Sequence, residues 1–236
     1  MKGRASLIGL LVACCISGGS ISAAAAPPAA PPAGFEINEE YTQKSPDGSV
    51  TIEQYVNKST DDWKWQFWAR AQGAFTQLGP EQADYPADFR FTSDLKWIVR
   101  MQKAGSGEQT LYLYRLGPQG YVAATREPLA DLAWAYMKRR PDWRKIRKAP
   151  EYHIFAGLLK GLADNYRGLG VDWPANRYVV IGLSGDADVK GRKPSQTGVV
   201  NGWRCRYDLL TGKFDVPALF AKANAKAVVP EPPGGS

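Results

Sequence analysis

The densest group of charged side chains in this sequence is a run of cations at positions 137–150, MKRRPDWRKIRKAP. Such a run creates a positive surface that can bind the phosphate groups of lipid, an anionic wall polymer or an acidic protein. The alternative is a solvated loop between two helices, whose first cations offset the dipole at a helix end. The residues predicted to bind are Lys138, Arg139, Arg140, Trp143, Arg144, Lys145, Arg147 and Lys148.

Residues suited to catalysis or metal binding are sparse. His153 is the one histidine, and we expect it to be an ordinary residue at the start of a helix. The segment GLSG at 182–185 lacks the second glycine of a G-x-S-x-G nucleophile turn. A calcium loop starting at Asp186 would place Lys190 and Thr197 where oxygen and bidentate glutamate ligands belong. The sequence therefore predicts no catalytic residue, metal or cofactor, and favours a protein that is not an enzyme.

Two other functions remain open. A glycan-acting hydrolase would need two carboxylates at a fixed separation, and no pair is nominated by the sequence. A carbohydrate-binding module would need exposed aromatic side chains on which sugars stack. The candidates are Trp63, Trp65, Trp68, Tyr112 and Tyr114. At strand spacing such residues are expected in a core or in cross-strand pairs.

The first 26 residues have the pattern of an export signal, with Lys2 and Arg4 before a short apolar run. That run is too short for a membrane-spanning helix, which needs about 20 apolar residues. The segment Leu-Val-Ala-Cys at 11–14 resembles the lipobox of bacterial lipoproteins, which would make Cys14 the lipidated first residue. Ordinary cleavage among the alanines at 23–26 is the alternative. Both predict an exported protein, periplasmic or anchored at the outer membrane, and therefore no nucleic-acid partner.

The composition divides the rest of the chain into three parts. Residues 27–35 are rich in proline and alanine and should form an extended spacer, and residues 229–236 should form a disordered tail. Residues 36–228 contain enough apolar and aromatic side chains for a single folded domain. Cys205 is the one cysteine outside the leader, and its alternation with Trp203 and Tyr207 predicts a buried thiol in a strand.

Alternating side chains predict several antiparallel hairpins. The clearest spans 95–116, LKWIVRMQKAGSGEQTLYLYRL, in which Ile98, Arg100 and Gln102 face opposite to Trp97, Val99 and Met101. The segment SPDG at 45–48 predicts a turn before another strand, and 177–185 should pair with 202–214.

Helical spacing appears between these hairpins. Residues 127–140, EPLADLAWAYMKRR, have apolar side chains at helical spacing, and Pro128 is placed at the helix start. Residues 150–170, PEYHIFAGLLKGLADNYRGLG, repeat this spacing and predict a second helix that Gly168 would close. Residues 217–227 predict a short terminal helix. The expected fold is α+β, an antiparallel sheet of hairpins with two inserted helices.

The segments SPDGSVTIEQY, FTSDLKWIVRMQKAGSGEQTLYLYRL and GWRCRYDLLTGKF resemble the blade hairpins of exported β-propeller proteins of the TolB type. The resemblance implies propeller-like hairpins, but the chain is too short and too helical in its middle for a closed ring. The whole chain also resembles bacterial exported proteins and lipoproteins for which no activity can be carried over. We therefore expect a non-catalytic cell-envelope protein, lipid-anchored or free, that binds an anionic envelope component or a protein partner.

Overall fold

The computed structural model describes residues 30–59, 61, 63–79, 82–106, 108–141, 152–158, 176–187 and 198–228. The predicted signal segment with Cys14, residues 27–29 of the proline-rich spacer, and the tail lie outside these residues. Within them the helices are a short 3-10 helix at Glu39–Tyr41, α1 (Leu129–Lys138) and α2 (Ala218–Ala227).

The strands of the described residues are short to medium in length and run through the whole of the folded region. They are β1 (Glu36–Ile37), β2 (Gln43–Lys44), β3 (Val50–Asn57), β4 (Lys64–Ala71), β5 (Ala74–Gln77), β6 (Ala87–Phe91), β7 (Trp97–Gly105), β8 (Glu108–Gly117), β9 (Gly120–Ala123), β10 (Tyr152–Leu158), β11 (Tyr178–Ala187), β12 (Gly198–Asp208) and β13 (Lys213–Asp215).

These strands form two separate sheets. The first has the order β1-β3-β4-β5, with β2 also paired to β3. The second has the order β13-β12-β11-β10-β8-β7-β6, with β9 also paired to β8. Every pairing is antiparallel except that of β10 with β8, which is parallel. The fold is therefore α+β with mainly antiparallel sheets, and the described strands close neither a barrel nor a propeller.

The β7–β8 hairpin predicted at 95–116 is present and belongs to two cores at once. Ile98 pairs with Tyr114, and the next pair along, Val99 with Leu113, points to the opposite face. The first pair packs in a core with residues of the first sheet, including Phe67. The second pair packs in a core with α1 and the strands β11 and β12. Strand alternation in one hairpin thus joins the two halves of the molecule.

Helix α1 follows the predicted apolar spacing. Leu129, Ala133 and Met137 recur every four residues, so they share one face, and all three are completely buried against the second sheet. Pro128 stands immediately before the first helical residue, where its missing N–H and fixed φ do no harm. The helix ends at Lys138, a cation placed favourably at the negative end of the helix dipole.

The prediction of a second inserted helix is wrong at its start. Tyr152–Leu158 form strand β10, and His153 lies in that strand opposite Asp186 instead of at a helix start. A short apolar run fits a helix and a buried strand equally well by spacing alone. Pairing on both sides satisfies the backbone groups of β8 and β11, and this tertiary gain decides the outcome. The remainder of the predicted helix, including Gly168, lies outside the described residues, and α2 is the predicted terminal helix.

The predicted SPDG turn leads into β3. The N–H of Gly48 donates to the carbonyl of Ser45 at 2.9 Å, and Gly48 has the positive φ of +73° that favours glycine. The Asp47 carboxylate accepts hydrogen bonds from the hydroxyl of Ser45 at 2.7 Å and from the N–H of Ser49 at 3.0 Å. The side-chain chemistry of the four residues therefore fixes where the first long strand begins.

One buried amide links the two sheets. Gln54 on β3 is completely buried, and its Nε2 donates to the carbonyl oxygens of Tyr41 at 2.8 Å and Ala87 at 2.7 Å. Its Oε1 accepts from the N–H of Ala87 at 3.1 Å. Because Ala87 begins β6, this single side chain hydrogen-bonds the edge strand of the second sheet to the middle of the first.

Candidate anion-binding sites

The structure describes the first three residues of the predicted basic segment. Lys138 ends α1 and Arg139 follows it, and both side chains are exposed. Trp134 and Met137 occupy the buried face of the same helix, so the two cations project on the solvent side. The other predicted binding residues, Trp143, Arg144, Lys145, Arg147 and Lys148, lie outside the described residues.

Arg140 continues this basic surface beside a group of aromatic rings. Its guanidinium lies 5.9 Å from the ring centroid of Tyr136. The Tyr136 ring stacks on Phe214 at 5.5 Å, and Phe214 contacts Tyr207 at 4.8 Å. A cation at this distance from a ring is weakly attracted, so the Tyr136 ring, itself packed on Phe214 of β13, helps to hold Arg140.

A cavity of about 190 Å³ lies at the opposite end of α1. Strands β7, β8 and β9 and the segment that enters α1 enclose it. Its lining includes two arginines, two tyrosines and a glycine, namely Arg100, Arg126, Tyr112, Tyr114 and Gly79. Sequence analysis placed Arg100 on the same hairpin face as Ile98 and Gln102 but did not identify it as part of a site.

Arg100 is almost completely buried, with 3% of its surface exposed. The Cζ atom of its guanidinium lies 4.0 Å from the ring centroid of Phe67 and 4.7 Å from that of Tyr112. Its Nε and Nη2 donate to Oε1 of Gln102 at 3.0 and 2.7 Å. Aromatic faces and one amide oxygen therefore surround the charge, and they hold the guanidinium in one orientation.

The remaining nitrogen of Arg100 makes longer hydrogen bonds. Nη1 donates to the carbonyl of Leu78 at 3.2 Å and to the hydroxyl of Tyr114 at 3.4 Å, both long for hydrogen bonds. Among the described residues no carboxylate forms an ion pair with Arg100. Each nitrogen of the buried guanidinium therefore has a hydrogen-bond acceptor within the protein, which lowers the cost of burying its charge.

The aromatic residues considered for sugar stacking are mostly in the core. Trp65 and Trp68 are 3% and 0% exposed, and Tyr114 is also buried. Trp63 is 50% exposed, with the Lys58 ammonium 4.9 Å from its ring centroid. A single exposed tryptophan does not make the extended platform that the spacing allowed.

Of the residues weighed above for catalysis and calcium binding, His153 and Asp186 are paired on neighbouring strands, and Lys190 and Thr197 lie outside the described residues. Cys205 is fully buried in β12, as predicted, and burial raises the pKa of its thiol. No group of three histidine, cysteine or acidic side chains within the described residues is placed to hold a metal ion. Among these residues, neither helix has the length and apolar character needed to cross a membrane.

Comparison with known proteins gives a weak structural likeness. No protein-family model matches the chain, and no curated protein does. A solved structure of TolB from Acinetobacter baumannii aligns with 14% identity and a TM-score of 0.28, over 77% of this chain and 32% of TolB. The chain thus spans about a third of that protein. A TM-score this low does not show a shared fold.

Proposed function

We propose that this chain is a non-catalytic, exported cell-envelope protein that binds an anionic envelope component through the basic segment at the end of α1. The supporting observation is the orientation of that helix. Its apolar face is buried against the second sheet, so Lys138 and Arg139 point to solvent where the rest of the basic segment begins. Clustered cations on one surface attract phosphate or carboxylate groups over about 10 Å at moderate salt.

The test compares two variants of equal charge. In the first, Arg144, Lys145, Arg147 and Lys148 are replaced by glutamine; in the second, the exposed lysines of the folded region are replaced instead. The exposed lysines chosen as controls are Lys44, Lys213, Lys222 and Lys226. Sedimentation with vesicles containing phosphatidylglycerol measures binding to anionic lipid, and a soluble anionic wall polymer serves as the second probe.

We expect the unmodified chain to bind at least one anionic probe and the basic-segment variant to lose that binding. The control variant should retain most of it, because its lysines belong to other segments of the chain. Circular dichroism establishes that both variants fold. Equal loss in both variants would mean that overall charge alone drives the association, and undiminished binding by the first variant would refute the role of the segment.

We propose further that the chain is held at the membrane by a lipid on Cys14, with residues 27–35 as the spacer. The support is the sequence Leu-Val-Ala-Cys at 11–14. The intact mass of the mature protein tests this directly. A mass beginning at Cys14 and including acyl chains is expected, whereas a mass beginning after one of the alanines at 23–26 would make the protein a free exported one.

A further inference from the structure

The C-terminal helix α2 covers the edge of β12 beyond the short strand β13. Strand β13 pairs with residues 206–208 of β12, which begins at Gly198. Helix α2 packs against β12, and Val228, the residue after the helix, forms an antiparallel bridge with Val200. The edge of a sheet presents a row of N–H and C=O groups that need partners. On the stretch of β12 before residue 206, which we call the β12 groove, α2 and Val228 supply such partners.

The side chain of Asn224 takes the place of a neighbouring strand in the β12 groove. Its Oδ1 accepts a hydrogen bond from the N–H of Arg204 at 2.8 Å, and its Nδ2 donates to the carbonyl of Arg204 at 2.8 Å. Two residues of adjacent antiparallel strands exchange the same pair of bonds. Asn224 is 3% exposed, so both bonds are shielded from water. The groove therefore favours a segment that carries an amide at this position.

Helix α2 depends on this groove for its own stability. Its buried side chains are Phe220, Asn224 and Ala227. Pro217 is at the N-cap position, where its side chain has no oxygen to accept from the first N–H groups of the helix. An isolated helix needs about 12–15 residues to be stable, and α2 has 10. Opening of the contact with β12 therefore releases the helix as a unit, before the rest of the fold opens.

The connection between β13 and α2 is short and stiff. Val216 and Pro217 are the residues between Asp215, which ends β13, and Ala218, which begins the helix. Pro217 has extended backbone angles, with φ −56° and ψ 147°, and its ring fixes φ. Short connections make it harder for an element to fold back on its own chain and favour its exchange with a second molecule.

We propose that the β12 groove also binds α2 of a second copy of this chain, so that two molecules exchange their terminal helices and form a dimer. The groove and a segment that fits it are present in one molecule, and the contacts of Phe220, Asn224 and Val228 define the fit. An exchanged pair makes each of these contacts again between the two chains. The tethered helix competes at an effective concentration of about 1 mM, so exchange depends on protein concentration and on the connection.

A disulfide between positions 200 and 228 reports the exchange directly. The Cα atoms of antiparallel partners lie about 4.5–5.5 Å apart, which suits a disulfide. The variant carries Val200→Cys and Val228→Cys, with Cys14 and Cys15 replaced by serine. It is refolded at about 1 mM and at about 1 µM and then oxidised. A closed monomer acquires an internal disulfide, whereas an exchanged pair becomes a covalent dimer on a non-reducing gel.

We expect covalent dimer after refolding at the higher concentration and at least about tenfold less at the lower one. The single variants Val200→Cys and Val228→Cys are the controls and should give only a trace of dimer. Internal disulfides alone at both concentrations would overturn the proposal, because a dimer formed through another surface leaves each residue 228 bonded within its own chain. Equal amounts of dimer from a single variant would also overturn it.

Sedimentation velocity tests the proposal without cysteine substitutions. After refolding at about 1 mM, the unmodified chain should sediment partly as a dimer. A Gly-Ser-Gly-Ser insertion between Val216 and Pro217 lengthens the connection and should lower the dimer fraction at least about threefold. The same insertion after Lys58, in the loop between β3 and β4, is the control and should leave the fraction unchanged. A wholly monomeric unmodified chain, or equal dimer fractions in both insertion variants, would overturn the proposal.

Discussion

Gly120 of β9 and Thr76 of β5 bring the two sheets to contact distance. A Cβ atom at position 120 would lie 2.6 Å from Cγ2 of Thr76 and 2.9 Å from its Oγ1, which is closer than atoms pack. The glycine also has a φ of +102°. No larger residue fits between β9 and β5 without separating the strands, so the spacing of the sheets depends on a missing side chain.

Gly120→Ala should lower the free energy of unfolding by about 3 kcal/mol, from overpacking together with strain at positive φ. Urea unfolding followed by tryptophan fluorescence measures the change. Gly48→Ala is the matched control, since Gly48 also has a positive φ but meets no atom within 4 Å. That control substitution should lower the free energy of unfolding by only about 1–2 kcal/mol. Equal losses in the two variants would show that Thr76 moves aside easily.

Gln54→Met should lower the free energy of unfolding by about 2–4 kcal/mol. The substitution keeps the side-chain volume but removes the hydrogen bonds to the N–H of Ala87 and the carbonyl of Tyr41, and leaves the carbonyl of Ala87 only the 3.5 Å bond from Gln43. Gln77→Met is the control, because Gln77 is half-buried on β5 and is not part of this contact. Hydrogen exchange of the Ala87 amide should accelerate in the first variant and stay slow in the second.

Protonation of Asp47 should make the free energy of unfolding depend on pH in the acidic range. Hydrogen bonds from the Ser45 hydroxyl, and from the N–H and hydroxyl of Ser49, hold the pKa of this carboxyl below its ordinary value of 3.8. A lowered pKa in the folded state gives stability that is complete above 3.8 and is lost as the pH falls towards the lowered value. Asp47→Asn should therefore show a smaller fall in melting temperature between pH 5 and pH 2 than the unmodified chain does.

An NMR titration of the Asp47 carboxyl measures the same property directly. The midpoint should lie below 3.8 in the unmodified chain and rise in Ser45→Ala, because the largest contribution comes from the Ser45 hydroxyl. An unshifted midpoint in the unmodified chain would show that the turn does not bind the carboxylate as described.

Cys205 should be inert in the folded protein. Its side chain is fully buried and its pKa is raised, so the reactive thiolate is scarce at neutral pH. In a variant with Cys14 and Cys15 replaced by serine, Ellman's reagent should label Cys205 of the folded protein only as fast as the protein unfolds. In denaturant the same thiol should be labelled quickly. Fast labelling under native conditions would mean that β12 opens locally far more often than its packing with Trp203 implies.

The sequence predicted those parts of the fold that short-range patterns determine. Alternation in the β7–β8 hairpin, the SPDG turn and the spacing of Leu129, Ala133 and Met137 each depend on neighbours a few residues apart. Strand β10 was missed because its seven residues are apolar enough for either structure, and its partners come from distant parts of the chain. The spacing of neighbouring residues carries no information about pairing with strands that are distant in the sequence.

The Arg100 cavity was missed for a related reason. The guanidinium is enclosed by Phe67, which is 33 positions earlier, and by Tyr112 on the facing strand. The available signal was that Arg100 shares a strand face with the apolar Ile98. An arginine on a buried face is unusual, because long cationic side chains are rarely fully buried. Recognising a site required the position of Gly79 as well, which no spacing rule provides.

The β7–β8 hairpin contributes one face to each core, and this affects the order in which the parts of the chain can fold. The first sheet leaves the ribosome before residues 97–117 have emerged, so Ile52 and Phe67 are not yet covered by Ile98 and Tyr114. Until then the newly made strands present an uncovered apolar surface. The core of the first sheet is therefore completed only after the β7–β8 hairpin has been made, so this half of the molecule cannot finish folding on its own.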